Sequence, residues 1–307
     1  MSDPIGQLSI PTRSRFVETN GVQLHVVEAG AEEGPAVVLL HGFPEFWYGW
    51  RHQIPALADA GLHVIVPDQR GYNASSKPAR VADYDIDCLV GDVVGLLDAC
   101  GFERVALVGH DWGAAVAWVL AMRYPERLRH LIIANVPHPG VFRKTLRSSW
   151  EQLRRSWYIL AFQVPRLPQW WLGRNDGANL ARVMRMSARA DTFSTAELQA
   201  YRQAWRRPGA VRSMLHWYRA AARRGIRGEV PDAHVEVPTL VVWGAQDVAL
   251  SRRMAQPSVA RCREGELVMI EGATHWVQHD AAEQVNQLLL ARLGDAGSGA
   301  PVGDDGG

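Results

Sequence analysis

Asp111 stands at the centre of residues 105–118, VALVGHDWGAAVAW, where an apolar run ends in Gly109-His110-Asp111-Trp112-Gly113 and an alanine-rich run follows at once. Glycines two residues before and two after a central residue are what a tight strand-to-helix turn needs. The central side chain is thrust out at the head of the helix, and the backbone on either side has no room for a Cβ. Serine is the common occupant of such a turn, and it attacks acyl groups. A carboxylate does different chemistry. It is ionised at neutral pH and needs no base to become a nucleophile. Attack by Asp111 on a saturated carbon leaves an ester, which water can cleave, whereas serine would leave an ether.

Turnover of an ester at Asp111 calls for a base to activate water, an acid to orient that base, donors for a tetrahedral oxyanion and a group to stabilise the leaving atom. His275, in Glu271-Gly272-Ala273-Thr274-His275-Trp276, follows an apolar run and is the candidate base, because loops beyond the carboxyl ends of parallel strands are where ligands bind. Asp247, in Trp243-Gly244-Ala245-Gln246-Asp247, is the candidate orienting acid. One strand earlier the equivalent place holds Asn135, an amide that cannot stabilise an imidazolium as a carboxylate does. The backbone N–H groups of Trp112 and of Phe43, in His41-Gly42-Phe43-Pro44-Glu45, are the candidate oxyanion donors. Trp112, Phe43 and Trp276 are candidate substrate contacts. His41 reads as a brace for its loop and His279 as an ordinary surface histidine.

These residues need elements to hold them. Residues 16–19 and 24–28 flank Asn20-Gly21 and predict an antiparallel hairpin. Apolar runs at 36–40, 64–67, 105–108 and 131–134 alternate with helical patterns at 50–60, 86–99 and 114–123, which predicts an α/β fold whose mostly parallel sheet is flanked by helices. The rhythm fails over 137–235, a stretch rich in Trp, Arg and Pro with no good strand. It returns at 240–243 and 267–270 and closes with an amphipathic helix at 282–293. The simplest division is a core of 16–136 and 236–293, an inserted helical cap of 137–235, and a disordered tail of 294–307. The arginines of the insertion read as solvated helix faces covering apolar area with their stems.

Of 307 residues, 47% are hydrophobic and 21% charged, with a formal net charge of +1, so no strongly charged partner is implied. Cys88, Cys100 and Cys262 lack metal-ligand spacing and read as free thiols. No signal pattern and no membrane-length apolar run is seen, so a cytoplasmic protein with no membrane or nucleic-acid partner is expected. No metal or cofactor is expected. The sequence leaves open whether the chain is a monomer or a homodimer.

The elbow, the His-Gly-Phe-Pro-Glu segment, Pro67-Asp68-Gln69-Arg70-Gly71-Tyr72, Gln284-Val285-Asn286-Gln287 and the order Asp111, Asp247, His275 resemble the α/β-hydrolase superfamily and, within it, the epoxide hydrolases. Ser156-Trp157-Tyr158-Ile159-Leu160-Ala161-Phe162-Gln163 and His216-Trp217-Tyr218-Arg219 are similar to the cap segments that carry two tyrosines in that family. The resemblance implies that Tyr158 and Tyr218 bind and protonate the epoxide oxygen, that the partners are a small epoxide and water, and that the fold is the α/β-hydrolase fold. A neutral phenol suits that task, since an alkoxide is a much stronger base. Where relatives often continue Arg-Gly-Tyr with Gly, Asn73 follows here, the non-Gly residue most tolerant of positive φ. The rival reading is haloalkane dehalogenase, which shares the Asp nucleophile, the elbow and Trp112. Phe43 brings no side-chain donor for a halide, however, and a tyrosine pair suits oxygen better. A binding protein of the same fold would need neither His275 nor Asp247.

Overall fold

The hairpin expected across Asn20-Gly21 opens the computed structural model, which describes residues 6 and 8–294. It is longer than the apolar pattern alone suggested: β1 (Thr12–Thr19) pairs with β2 (Val22–Gly30), and Asn20 and Gly21 both adopt positive φ between them. That is the backbone a two-residue turn of the I′ type requires. Then follow β3 (Ala36–Leu40), α1 (Gln53–Asp59), β4 (His63–Pro67), α2 (Ile86–Ala99), β5 (Val105–His110), α3 (Trp112–Arg123) and β6 (Leu128–Ala134). The helical pattern at 50–60 resolves into two pieces, a 3₁₀ turn at Trp47–Trp50 and then α1.

Between β6 and β7 (Thr239–Gly244) come six helices and no strand: α4 (Pro139–Ser148), α5 (Trp150–Arg155), α6 (Trp157–Ala161), α7 (Leu167–Ser187), α8 (Thr195–Trp205) and α9 (Ala210–Ile226). The long α7 is broken at 174–177, where Asn175, Asp176 and Gly177 take positive φ. After β7 come α10 (Ala255–Val259), β8 (Gly265–Ile270), α11 (Val277–Asp280) and α12 (Ala282–Gly294). The tail expected beyond Gly294 lies outside the described residues.

The eight strands form one sheet in the order β1-β2-β4-β3-β5-β6-β7-β8. The pairs β1–β2 and β2–β4 are antiparallel and the other five are parallel. Every residue of β3, β4, β5 and β7 is buried, as expected of central strands covered on both faces. A parallel sheet gathers its carboxyl ends on one edge. The loops leaving β3, β5, β6, β7 and β8 therefore converge there, and they carry Phe43, Asp111, Asn135, Asp247 and His275. Among the described residues, no helix is long and apolar enough to cross a membrane.

Candidate active site

Asp111 joins β5 to α3 with φ 49 and ψ −121, a conformation that costs an ordinary side chain of order 1–3 kcal/mol and has to be imposed by its surroundings. The flanking glycines impose it. A Cβ on Gly109 would lie 2.6 Å from the Cα of Ala114, and one on Gly113 only 2.1 Å from the carbonyl oxygen of Leu40. The head of α3 thus presses directly against the end of β3. Gly113→Ala is expected to destabilise the protein by roughly 3 kcal/mol or more, because the obstructing atom is backbone and cannot move aside. Thermal denaturation checks this; a melting temperature equal to that of the wild type would show that the elbow is looser than described.

The carboxylate of Asp111 faces two neighbours. Its Oδ1 accepts a 2.6 Å hydrogen bond from the backbone N–H of Phe43, and its Oδ2 lies 3.6 Å from Nε2 of His275. Burial works against its charge, but the facing imidazole and the Phe43 N–H outweigh burial and hold the carboxyl below its usual range. Trp112 opens α3, where a first-turn N–H has no acceptor within the helix. The two N–H groups expected to serve an oxyanion therefore stand beside Asp111, and in the resting structure one of them is occupied by the carboxylate itself.

His275 is held from behind. Its Nδ1 is 2.8 Å from Oδ2 of Asp247, and its backbone carbonyl is 2.9 Å from Nε2 of His110. Asp247 is buried and has four hydrogen-bond partners. Oδ1 accepts from the N–H groups of Ala249 (2.7 Å) and Leu250 (2.8 Å), and Oδ2 meets Nδ2 of Asn135 (2.8 Å) as well as His275. With every acceptor direction taken, the carboxylate cannot turn away from the histidine. Burial alone would depress the histidine, but the carboxylates of Asp247 and Asp111 overcome it and raise His275 to about 10.

The tyrosines come from α6 and α9. Tyr218 is 5% exposed, and its ring stands edge-on to those of Trp112 (5.0 Å), Phe43 (5.3 Å) and Tyr158 (5.9 Å). Burial raises both phenols above the ordinary tyrosine range, and the charge on Asp111 raises each further. Both phenols therefore hold their protons more firmly than an exposed tyrosine does, and both feel the charge on Asp111. Phe162 packs 5.0 Å from the Tyr218 ring. Trp276 sits behind His275, 3% exposed, with its indole N–H donated to Oγ of Ser187 at 3.1 Å.

His279 is not the surface residue expected. It is buried, and its Nε2 lies 2.8 Å from Oε1 of Glu45, a carboxylate that also accepts from Tyr201 (2.5 Å) and Gln278 (3.0 Å). A single histidine in a short helix carries no sign of the acid it meets more than two hundred residues away. Burial alone would keep Glu45 neutral; its histidine partners hold it ionised. Tyr72 was likewise missed as a neighbour of the site. Its buried hydroxyl has no hydrogen-bond partner among the described residues and is raised by burial and then by the charge on Asp111. His41 braces its loop as expected, its Nε2 accepting from the N–H of Gln69 at 3.0 Å. Asn73 takes the positive φ its turn needs and donates to Asp68 at 2.8 Å. Cys88, Cys100 and Cys262 are free. Among the described residues, no group of three or more His, Cys, Asp or Glu side chains is placed to hold a metal ion.

Known proteins share this architecture and much of this sequence. The alpha/beta hydrolase fold family matches residues 35–282. An AB hydrolase superfamily protein of Bacillus subtilis is 45% identical over 281 residues, covering 92% of this chain and 98% of that one. Epoxide hydrolase 1 of Caenorhabditis elegans is 37% identical over 281 residues, covering 90% of this chain and 69% of the relative. The crystal structure of an epoxide hydrolase from Bacillus megaterium with an inhibitor superposes with a TM-score of 0.84 at 30% identity, covering 91% of this chain and all of that one. The chain belongs to the epoxide hydrolases of the alpha/beta hydrolase fold.

Proposed function

We propose that the enzyme opens an epoxide to a vicinal diol in two covalent steps, with Asp111 as nucleophile, and that helices α4–α9 form the cap that supplies the oxygen-binding groups. Asp111 attacks one epoxide carbon while the other C–O bond partner, the ring oxygen, is held by the hydroxyls of Tyr158 and Tyr218. The carbon–oxygen bond breaks as the ester bond forms, and the released alkoxide takes a proton from the phenols. His275 is protonated in the free enzyme; it loses that proton to the surroundings as the phenolate regains one from them, so the phenol is restored with no net proton taken up. Esterification also deletes the charge on Asp111 that helped keep His275 protonated, so the imidazole becomes a base at the moment one is needed.

In the second step His275, oriented by Asp247, takes a proton from water. The resulting hydroxide adds to the ester carbonyl. The Phe43 and Trp112 N–H groups receive the oxyanion, and collapse frees the diol and restores the carboxylate. No metal or cofactor enters either step. The observation that carries this reading is that two tyrosines pack edge-on to each other, with Tyr218 also against Trp112 and Phe43, the residues whose N–H groups flank Asp111. That arrangement suits an oxygen leaving group, which needs proton donors.

Styrene oxide and 1-bromobutane separate this chemistry from halide displacement. Diol from the first with no bromide from the second is the expected result, and bromide without diol would refute it. Tyr158→Phe and Tyr218→Phe should each lower kcat on the order of 10²-fold, since one donor remains, and the double change should cost much more. The check is single-turnover kinetics of ester formation. If either phenol alone proved dispensable, the paired-donor assignment would fail.

A further inference from the structure

The helical insertion is inside out over α5, α6 and the start of α7. Gln152 and Ser156 are buried there, with Gln152 donating to the Ala249 carbonyl at 2.8 Å and accepting from the Ser251 N–H at 2.9 Å. Trp150 (79%), Trp157 (66%), Leu160 (69%) and Trp170 (56%) are exposed instead. Trp150 and Leu153 on α5, Trp157 and Leu160 on α6, Val164 in the turn that follows and Leu167 opening α7 are all exposed, so the uncovered apolar side chains succeed one another along the segment rather than lying scattered over the surface. Its opposite side carries Tyr158 and Phe162, which pack on Tyr218.

Charge surrounds this face asymmetrically. Residues 139–187 hold nine Lys and Arg against two acids, Glu151 and Asp176, while the whole chain nets only +1. Both acids are already paired, with Arg155 at 2.9 Å and Arg206 at 2.6 Å. Arg147, Arg154 and Arg166 are exposed, and among the described residues none of them has an ion-pair partner. Snorkelling over apolar area, the reading favoured by sequence, accounts for arginine stems but leaves the tryptophans uncovered.

We propose that this face docks on an anionic phospholipid bilayer, the tryptophans and leucines entering the headgroup boundary and the arginines pairing with lipid phosphates. Exposed Trp and Leu rimmed by Arg is the composition of interfacial segments, and each basic residue near such a surface adds about 1 kcal/mol of attraction. A second copy is the weaker occupant, because a two-fold contact would set this positive segment against itself. Docking would place the outer side of α6 against the bilayer and its Tyr158 side toward Asp111. If the catalytic reading above holds, apolar epoxides dissolved in the membrane would then reach the site from that side.

Co-sedimentation of the full chain with vesicles of phosphatidylcholine, alone or mixed with phosphatidylglycerol, tests this. Binding to the anionic vesicles should be at least ~10-fold stronger than to neutral ones and should weaken steeply between about 0.05 and 0.5 M NaCl. The variant Trp150→Ser/Trp157→Ser/Leu160→Gln should lose ~10-fold or more of that binding. Its turnover of soluble styrene oxide, unchanged from the wild type, shows that it is folded. Should that variant not fold, Arg147→Glu/Arg154→Glu, which leaves the apolar face intact, should weaken anionic binding alone. Equal partition of the wild type into both vesicles, or none into either, would overturn the proposal. So would a dimer of the wild type that the apolar variant converts to monomer, since the face would then belong to a second copy.

Discussion

Asp111→Ala is expected to lower epoxide turnover by at least ~10⁴-fold while leaving the fold in place, because it removes the proposed nucleophile. A generic loss of activity would not prove covalency, so the decisive readout is isotopic. In H₂¹⁸O, the first turnover of the wild type should yield diol without label, since the oxygen added to carbon comes from Asp111 and the solvent oxygen enters the carboxylate. Later turnovers should pass that label on to product. Label in the diol from the first turnover would mean that water attacks the epoxide directly, with Asp111 acting only as a base. The 2.6 Å hydrogen bond from the Phe43 N–H to Oδ1 favours attack by the other oxygen, Oδ2, which faces His275 across 3.6 Å.

Changing His275 should produce the opposite pattern. His275→Gln is expected to keep ester formation and to slow ester hydrolysis by ~10³-fold or more, so the enzyme stops after one turnover with substrate attached. Intact mass should rise by the mass of the epoxide, and digestion should place the adduct on Asp111. A protein that stays unmodified while losing all activity would move His275 into the first step. The histidine also links activity to stability. Its folded value, about 10, lies above the ordinary value of ~6.5, so its pairing with two carboxylates stabilises the fold fully below ~6.5 and is lost as pH rises through about 10. The melting temperatures of the wild type and of His275→Gln should therefore draw together at the alkaline end.

Much of this site was legible because its parts announce themselves locally. The Gly109–Gly113 spacing, the apolar runs of β3, β5, β6 and β7 and the Asn20-Gly21 turn are each set by nearby residues, and each folds as its local pattern requires. What stayed hidden was long-range. Glu45 joins His279 and Tyr201 across the molecule, and neither partner bears a mark of the other in sequence. The outward tryptophans of α5 and α6 were ambiguous for a related reason: composition tells how much apolar surface exists, and only packing tells which side of it is covered. Strand ends behaved similarly. Val235 bridges to Cys262 at the end of the stretch read as a helical cap without a good strand, because a lone bridge has no periodicity to detect.

Asn135 gives the site a further property. Its Nδ2 and the imidazole Nδ1 of His275 meet the same oxygen of Asp247, each at 2.8 Å, so amide and acid are neighbours at the ends of adjacent strands. Exchanging them would move the negative charge from the end of β7 to the end of β6. The route between the two arrangements passes through a chain carrying acids at both places. Such a pair would share one proton, because two neighbouring carboxylates do not both ionise at low cost. The amide at 135 therefore serves the histidine indirectly: it donates to the very oxygen that holds the imidazole and spares Asp247 a second charge at its side.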